Sequence, residues 1–368
     1  MKKIGIIRGK FLTKYDMEPF ELLTKKYDIT AFGSKNPFAQ DFKVPLIKLW
    51  SPMDLPDFPY KMQFLNRLFV DAHYLLGLEE KLKGFDIAHT AETYFNFTRQ
   101  ILNAKQKGYV KKVVISVLEN IAFNNEEIWG KKSFKKRAIK ETDHFIALSK
   151  GAKVALIKEG VADNNISLIG FGINTKKFYP ADKRKSNKIK ILFAGRIEAY
   201  KGIFDVLEVF NLVSTKNNDL ELTIVGKGSK EKEVRLKTKQ LGINDRVKFK
   251  NLSYKEMPQV YREADIFFAP SKRDKYWIEQ FGMVFLEAMA SGLPIISTKS
   301  GAIPEVVGNS GFLSQEEDIK NMKNTINKLI EDRKLRNELG EKARQRAIDV
   351  FDISVISKKI DRVYERLL

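Results

Sequence analysis

Residues 279–297 read EQFGMVFLEAMASGLPIIS and hold the clearest structural pattern in the chain. Gly282 is placed to open a helix and Gly292 to close it, because glycine tolerates the backbone conformations found at helix ends. The apolar run 294–297 that follows predicts a buried strand. A helix that leads through a short turn into a buried strand is the repeating unit of an α/β domain.

The same alternation extends in both directions from this stretch. Amphipathic stretches such as 62–83 and 151–159 predict helices between the apolar runs, so the economical arrangement is parallel sheets covered by helices. The further runs predicted as strands are 3–7, 28–32, 44–49, 86–88, 113–117, 145–148, 166–169, 189–194, 220–225, 247–250 and 266–269.

The 368 residues suit two domains, each large enough for its own core. A polar run rich in turn formers interrupts the alternation and predicts a linker. The sequence therefore predicts two doubly wound α/β domains that face each other across a cleft. The predicted boundaries are 1–170 for the first domain, 171–188 for the linker, 189–350 for the second domain and 351–368 for an amphipathic helix that packs back on the first.

Composition excludes several classes of site. The chain has no cysteine and three histidines, which removes disulfides and thiolate metal ligands and leaves little for a zinc site. No Asp-x-Asp motif occurs, so we expect no catalytic metal. The apolar start is too short for a signal peptide and no run reaches the roughly 18 residues of a spanning helix, so we expect a cytoplasmic location.

The net charge of +20 calls for an acidic partner. The densest basic cluster lies in a predicted helix and comprises Lys131, Lys132, Lys135, Lys136, Arg137 and Lys140. It fits a solvated helix face or an anionic membrane surface, the inner face of the membrane in this location. No nucleic-acid-binding pattern accompanies it, and we expect no nucleic-acid partner.

Three strand-to-helix turns in the second half carry residues suited to a ligand, because ligands of open α/β sheets collect there. In the first turn, Arg196 and Lys201 between Gly195 and Gly202 suit a diphosphate, or are two surface cations. The second, Gly226-x-Gly228, lacks the third glycine of a dinucleotide fingerprint.

The third turn places two carboxylates around one helix N-terminus. Glu279 precedes the helix and Glu287 projects from within it, and carboxylates accept hydrogen bonds from sugar hydroxyls. A spacing that arises by chance is the alternative interpretation.

Together these turns, followed by Gly301-Ala302-Ile303-Pro304-Glu305, closely resemble the family 4 retaining glycosyltransferases of GT-B fold. The resemblance implies transfer of a sugar from a nucleotide-diphosphate sugar to a hydroxyl acceptor, a glycan or a lipid-linked acceptor at the membrane surface. It implies retention through departure and attack on one face, without metal or cofactor. A nucleotide-sugar 2-epimerase and a non-catalytic sugar-binding protein on the same scaffold are the alternatives.

The resemblance also assigns residues. Arg196 and Lys201 would bind the diphosphate, Glu287 the ribose hydroxyls, and Glu279 would lie beside the transferred sugar, so that Arg196, Lys201 and Glu279 form the implied catalytic set. The other implied donor contacts are Gly9, Phe281, Gly282, Met283 and Val284.

The resemblance implies that the second domain binds the nucleotide sugar and that the first receives the acceptor. The first half matches the family less well. Many relatives have a histidine that contacts the donor sugar two places after the position of His89, and here that place is Ala91. His89 is then a strand-end histidine of structural type or an acceptor-side residue. The acceptor-side candidates are His89, Glu92, Tyr94, Glu119 and Asn120.

Overall fold

A computed structural model describes residues 1–181, 188–215, 217–275 and 277–368. The chain divides into two compact units, one comprising Met1–Gly172 and Ile353–Leu368 and the other Ile173–Asp352. Residues 182–187 of the predicted linker lie outside the described residues.

The first unit is built on a seven-stranded parallel sheet of order β3-β2-β1-β4-β5-β6-β7. Its strands are buried on both faces by helices, which is why they read as continuous apolar runs. The strands are β1 (Lys2–Gly9), β2 (Tyr27–Ser34), β3 (Leu46–Leu49), β4 (Phe85–Ala91), β5 (Val110–Val117), β6 (His144–Ala147) and β7 (Ile166–Leu168). The helices are α1 (Lys14–Glu21), α2 (Lys61–Phe69), α3 (Leu78–Lys81), α4 (Asn96–Gln106), α5 (Lys131–Glu141) and α6 (Lys150–Lys158).

The second unit repeats the architecture with a six-stranded parallel sheet of order β10-β9-β8-β11-β12-β13. Its strands are β8 (Ile189–Ala194), β9 (Leu220–Val225), β10 (Val247–Lys250), β11 (Ile266–Phe268), β12 (Ile295–Thr298) and β13 (Gly311–Ser314). Its helices are α7 (Ile203–Ser214), α8 (Glu231–Gln240), α9 (Met257–Arg262), α10 (Met283–Ala290), α11 (Ile303–Val307), α12 (Ile319–Glu331) and α13 (Arg333–Arg346).

The predicted fold class, two doubly wound α/β domains, is confirmed by these sheets. In each of them the strand order reverses after the third strand, between β1 and β4 and between β8 and β11. Each predicted strand overlaps an observed one, whereas β13 was not predicted. This four-residue edge strand mixes polar and apolar residues and lacks the apolar run that marks the others.

The predicted single helix over 62–83 is wrong. The chain forms α2 and α3 there, separated by an irregular segment. Val70 at the end of α2 has φ 64° and Gly77 has φ 77°, values that no α-helix contains. Between them the fully buried carboxylate of Asp71 accepts hydrogen bonds from the backbone amides of His73 and Asn96, which fixes the break.

A last helix, α14 (Ile353–Leu367), belongs to the first unit although it follows the second in the chain. Its apolar stripe is buried against α1 and the sheet, and comprises Ile356, Ile360, Val363 and Tyr364. The Tyr27 hydroxyl donates a hydrogen bond of 2.7 Å to Asp361, which fixes the helix from its polar side. The core of the first unit therefore contains side chains from residues 353–368 as well as from residues 1–172.

Candidate functional site

The candidate site lies at the carboxyl ends of β8 and β11, the neighbouring strands between which the second sheet reverses its order. This reversal opens a crevice at the sheet edge, because the segments that leave the two strands run to opposite faces. The turn after β8 holds Arg196 and Lys201. The segment after β11 leads through Glu279 into α10.

Lys201 and Glu279 form an ion pair across this crevice. The Lys201 Nζ lies 2.6 Å from Glu279 Oε2, and the Ser271 hydroxyl donates to the same oxygen over 3.0 Å. Burial lowers the pKa of Lys201, although the nearby carboxylate opposes the shift. A cation and an anion are thus held together at the place where this fold binds ligands.

An aromatic pair flanks the cations. The Tyr200 and Trp277 rings lie 4.4 Å apart between centroids, and the Lys201 ammonium lies 4.3 Å from the Trp277 centroid. The exposed guanidinium of Arg196 lies 5.3 Å from the Tyr200 centroid. Both cations therefore rest against aromatic faces, a favourable cation–π arrangement that orients them without neutralising their charge.

Two glycines bring the turns into contact. A Cβ on Gly202 would lie 1.9 Å from the carbonyl oxygen of Pro270, and one on Gly301 would lie 2.1 Å from that of Glu279. Both glycines also have positive φ, 71° and 53°, which side chains rarely tolerate. The Gly301 turn after β12 additionally donates its Ala302 amide to the Glu279 carbonyl over 2.9 Å. The position of Glu279 is thereby fixed from the backbone as well as through its side chain.

The glycine turn after β9 packs on the same region. A Cβ on Gly228 would lie 2.1 Å from the carbonyl oxygen of Ile197, so only glycine allows this approach. Glu198 clamps the turn, since its carboxylate accepts from both the amide and the hydroxyl of Ser229 at 2.7 Å. Gly226 and Gly228 therefore serve close packing of two turns.

Gly282, which has φ 87°, is the N-cap of α10, and Gly292, two residues beyond the end of the helix, has φ 71°. The amides of its first turn have no partner within the helix, as at any helix start. The Phe281 ring is buried edge-on against Phe351, with 6.1 Å between the ring centroids. Met283 and Val284, the first two residues of α10, are half-buried.

Glu287 lies further along α10 and is nearly fully buried. The Tyr261 hydroxyl donates to its Oε2 over 2.7 Å. Burial raises the pKa of Glu287 to about 7, against the opposing effects of the Tyr261 hydrogen bond and of the Lys177 ammonium. A carboxyl group that is half ionised near neutral pH responds readily to a ligand that donates hydrogen bonds to it.

Residues 175–346 match the family model described as glycosyl transferases group 1. The chain carries a group 1 glycosyltransferase domain. This domain contains Arg196, Lys201, Glu279 and Glu287, which the sequence pattern singled out. Among the described residues, no group of three or more histidine, aspartate or glutamate side chains is arranged to hold a metal ion.

Relatives extend the likeness beyond this glycosyltransferase domain. The chain is 26% identical over 245 residues to an MMP alpha-(1->4)-mannosyltransferase of Mycolicibacterium hassiacum, covering 65% of this chain and 58% of that protein. It is 28% identical over 239 residues to the capsular polysaccharide biosynthesis glycosyltransferase CapM of Staphylococcus aureus, covering 61% of each. The chain thus spans about three fifths of the length of these two relatives.

A solved structure covers both units. HepE of Anabaena, crystallised with UDP and glucose, matches 100% of this chain and of its own with a TM-score of 0.77 at 17% identity. At that identity the likeness shows the fold, and the predicted GT-B fold is confirmed.

The acceptor-side candidates lie in the first unit, outside the glycosyltransferase domain. His89 is fully buried, with Nδ1 2.6 Å from the Tyr364 hydroxyl and Nε2 2.7 Å from the Ser116 hydroxyl. Burial and the nearby Arg8 lower the pKa of His89 well below its ordinary value. Because both ring nitrogens are engaged in the core, His89 ties α14 to the sheet and does not reach an acceptor in this conformation.

The other candidates gather at the carboxyl ends of β4 and β5. Glu92, at φ 58°, accepts the Leu118 amide over 2.8 Å, and burial raises its pKa to about 8. Glu119 accepts the Ile121 amide and the side-chain amide of Asn124 at 2.9 and 2.7 Å. Glu92 therefore joins the loop after β4 to the loop after β5, and Glu119 fixes the shape of its own loop.

The remaining candidates of this unit occupy the same edge. The half-buried Tyr94 ring lies 5.0 Å from the Lys131 ammonium, and Asn120 packs on Gly151 near the start of α6. Gly9 ends β1 at φ 55°, with the ring of Phe97 against it. These residues share an edge of the first sheet where a ligand could approach.

The basic cluster does not form one solvated face, as one of its two interpretations required. Lys131 is buried 3.3 Å from Asp71, and Lys135 is buried 2.5 Å from Glu159. Lys132, Lys136 and Lys140, spaced one turn apart on α5, remain exposed. No helix among the described residues is both long and apolar enough to cross a membrane.

Sequence reasoning missed Ser271, Trp277 and Tyr261. Ser271 follows β11 directly, so its place at a strand end was the available signal. Trp277 lies two residues before Glu279 in a segment of mixed polarity, and Tyr261 lies in α9. No sequence signal connects Tyr261 with Glu287, because only the packing of α9 on α10 brings them together.

Proposed function

We propose that this chain is a retaining glycosyltransferase that moves a sugar from a nucleotide-diphosphate sugar to a hydroxyl acceptor. The observation that carries the proposal is the Lys201–Glu279 ion pair at the strand reversal of the second sheet. A paired cation and carboxylate suit the two halves of one donor. The cation binds diphosphate oxygens and the carboxylate accepts from sugar hydroxyls.

The donor takes over contacts that the protein makes with itself. An arriving diphosphate competes with Glu279 for the Lys201 ammonium, and Arg196 in the same turn adds a planar second cation. The backbone amides over 281–284 supply neutral donors at the start of α10. Glu279, released from Lys201, accepts from the transferred sugar, and Glu287 accepts from the ribose hydroxyls.

The reaction places growing negative charge on the diphosphate. The bond between the anomeric carbon and the diphosphate oxygen breaks, and the acceptor oxygen bonds to the same face of that carbon. The acceptor proton passes to the departing diphosphate oxygen. Arg196 and Lys201 stabilise this charge most strongly in the transition state, which is the property that accelerates the step. These two side chains fill the cation role that a metal has in other transferases.

The comparisons indicate which substrates to try first. HepE of Anabaena was solved with UDP and glucose, and CapM of Staphylococcus aureus is named for capsular polysaccharide biosynthesis. We therefore propose UDP-sugars as the first donors and a glycan or lipid-linked acceptor at the inner membrane surface. The exposed Lys132, Lys136 and Lys140 stripe supports a location beside anionic lipid.

The test starts with binding. Thermal unfolding against a panel of nucleotide sugars identifies the donor, because a ligand at about 100 times its Kd adds about 2.7 kcal/mol of stability. NMR of the reaction with that donor and candidate acceptors then shows an α-linked product from an α-linked donor. Arg196→Ala should lose transfer while Arg235→Ala, an exposed arginine on α8, keeps it. Epimerised donor, inverted product, or binding without turnover contradicts the proposal.

A further inference from the structure

The exposed apolar side chains of the protein are concentrated in one segment. Twenty large apolar residues are exposed among those described, and six of them lie between Leu55 and Leu68. The whole second unit, in its described residues, has three. Scattered single residues need no explanation, but a contiguous patch marks an interaction surface.

Helix α2 at the centre of this segment exposes most of its large apolar side chains to water. Tyr60, Phe64 and Leu68, one turn apart, are 78%, 56% and 61% exposed. We call these three the α2 face. The buried side of the helix carries Leu65 and Lys61, and the Lys61 ammonium lies 3.3 Å from the Met53 carbonyl and 3.2 Å from the Asp57 carboxylate. One apolar side chain and these polar contacts thus hold the helix, while the α2 face points outward.

Trp129 adds a further exposed aromatic ring beside α2. This tryptophan is 76% exposed, and together with Gln63, Asn66, Arg67 and Ile128 it lines an open hollow of about 680 Å³. The two segments are joined at their bases, because Gly130 packs directly on the Val70 side chain at the end of α2. Aromatic rings and an arginine therefore share one surface.

Cations continue from this surface along the chain. Helix α5 starts immediately after Gly130, and Lys132, Lys136 and Lys140 project from it into solvent. The two most buried lysines of the same helix are consumed by internal ion pairs. Exposed aromatic residues next to a row of lysines match the two layers of an anionic lipid surface, the acyl boundary and the charged head groups.

We infer that the α2 face and Trp129 insert into the interfacial layer of an anionic bilayer while the α5 lysines bind its head groups. A second copy of the chain fits this surface less well, because a symmetric contact would bring two equally basic patches together. This inference rests on the proposed function, because membrane binding would bring the protein to the acceptor proposed at the membrane surface. Lipid binding needs neither donor nor acceptor, so it can be measured, and can fail, separately from transfer.

The experiment is co-sedimentation of the full chain with vesicles. We expect binding to vesicles of equal parts phosphatidylcholine and phosphatidylglycerol and little to phosphatidylcholine alone. Binding should fall at 1 M salt, where the Debye length is about 3 Å rather than about 10 Å at 0.1 M. We expect about tenfold weaker vesicle binding from two variants, Phe64→Ser/Leu68→Ser and Lys132→Glu/Lys136→Glu/Lys140→Glu.

Two matched control variants carry the same kinds of substitution at exposed residues of the second unit. Leu212→Ser/Leu236→Ser alters two exposed apolar residues, and Lys232→Glu/Lys237→Glu/Lys239→Glu reverses three exposed charges on α8. Both controls should bind like the wild type, and circular dichroism should show all variants folded. Absence of vesicle binding overturns the inference, as does equal binding by the Phe64→Ser/Leu68→Ser variant. A dimer in gel filtration that this variant dissociates, without lipid binding, identifies a homodimer contact instead.

Discussion

The Lys201 ammonium nitrogen lies 2.6 Å from Glu279 Oε2, although the residues are 78 positions apart. They meet because β8 and β11 are neighbours in the sheet, although two strands and three helices separate β8 from β11 in the chain. The side chains are only 16% and 6% exposed, so water contributes little to stabilising either charge. Each residue therefore depends on the other in the unliganded protein.

Loss of Lys201 should destabilise the protein as well as abolish activity. Lys201→Met leaves the Glu279 carboxylate buried without its cation while the Ser271 hydroxyl still donates to it, and removing one partner of a buried pair costs about 3 kcal/mol. Urea unfolding measures this loss. Lys230→Met, which breaks an exposed pair with Glu233, is the control and should change stability by less than about 1 kcal/mol. Equal effects of the two substitutions would show that the Lys201 pair is solvated.

Arg196 and Glu287 should fail in different kinetic parameters. Glu287→Ala removes acceptors for ribose hydroxyls that are present in ground and transition states alike, so the donor KM should rise by about tenfold. Arg196→Ala removes a cation from oxygens whose charge grows as the sugar leaves, so kcat should fall by roughly 10² to 10³. Steady-state kinetics with the identified donor separate the two.

Two outcomes of the same assay would contradict these assignments. If Arg196→Ala keeps the wild-type kcat, Arg196 is a surface cation in a turn and does not bind the donor. A kcat loss without a KM change in Glu287→Ala would move Glu287 from donor binding to the chemical step. Arg235→Ala should leave both parameters unchanged.

Glu287 should make stability depend on pH. Burial raises its pKa from 4.5 to about 7, so the folded protein holds a proton that the unfolded chain has released between these values. The contribution is fully present below pH 4.5, and stability falls as the pH rises through 7, by about 3 kcal/mol in total. Urea unfolding at pH 5 and pH 8 should show a smaller fall in Glu287→Gln than in the wild type. Parallel pH profiles would mean that Glu287 keeps its ordinary pKa.

Donor binding should report on Trp277. The diphosphate draws the Lys201 ammonium away from a ring that it now approaches to 4.3 Å, and this changes the surroundings of the indole. Replacing Trp50 and Trp129 by phenylalanine leaves Trp277 as the single tryptophan. Its fluorescence should change on titration with UDP, and the change should vanish when Lys201→Met is added. An unchanged signal at saturating UDP, with binding verified by calorimetry, would place the diphosphate elsewhere.

Transfer should survive chelation. In the proposed reaction Arg196 and Lys201 supply two cations for the leaving group, and no Asp-x-Asp motif occurs in the chain. Initial rates after dialysis against EDTA should match those before it. A loss that manganese restores would show that a metal shares the charge.

All strands except β13 could be predicted from the sequence because each of them contains a short apolar run. The strand neighbours could not, since pairing of β8 with β11 depends on packing across the sheet, and the Lys201–Glu279 contact follows from that pairing. The sequence could not predict the burial of Lys131 and Lys135 either. Their partners Asp71 and Glu159 lie in other elements, and a helical pattern shows only which residues share a face.

The placement of α14 determines the order in which the two units can finish folding while the protein is synthesised. Residues 173–352 form a continuous unit, whereas the first unit needs Ile356, Ile360 and Val363, which are translated after that unit. On the ribosome the glycosyltransferase domain can therefore close while the earlier half still exposes the groove that α14 will fill. Chaperones that recognise apolar grooves would meet the nascent amino-terminal half for as long as the second half is being translated.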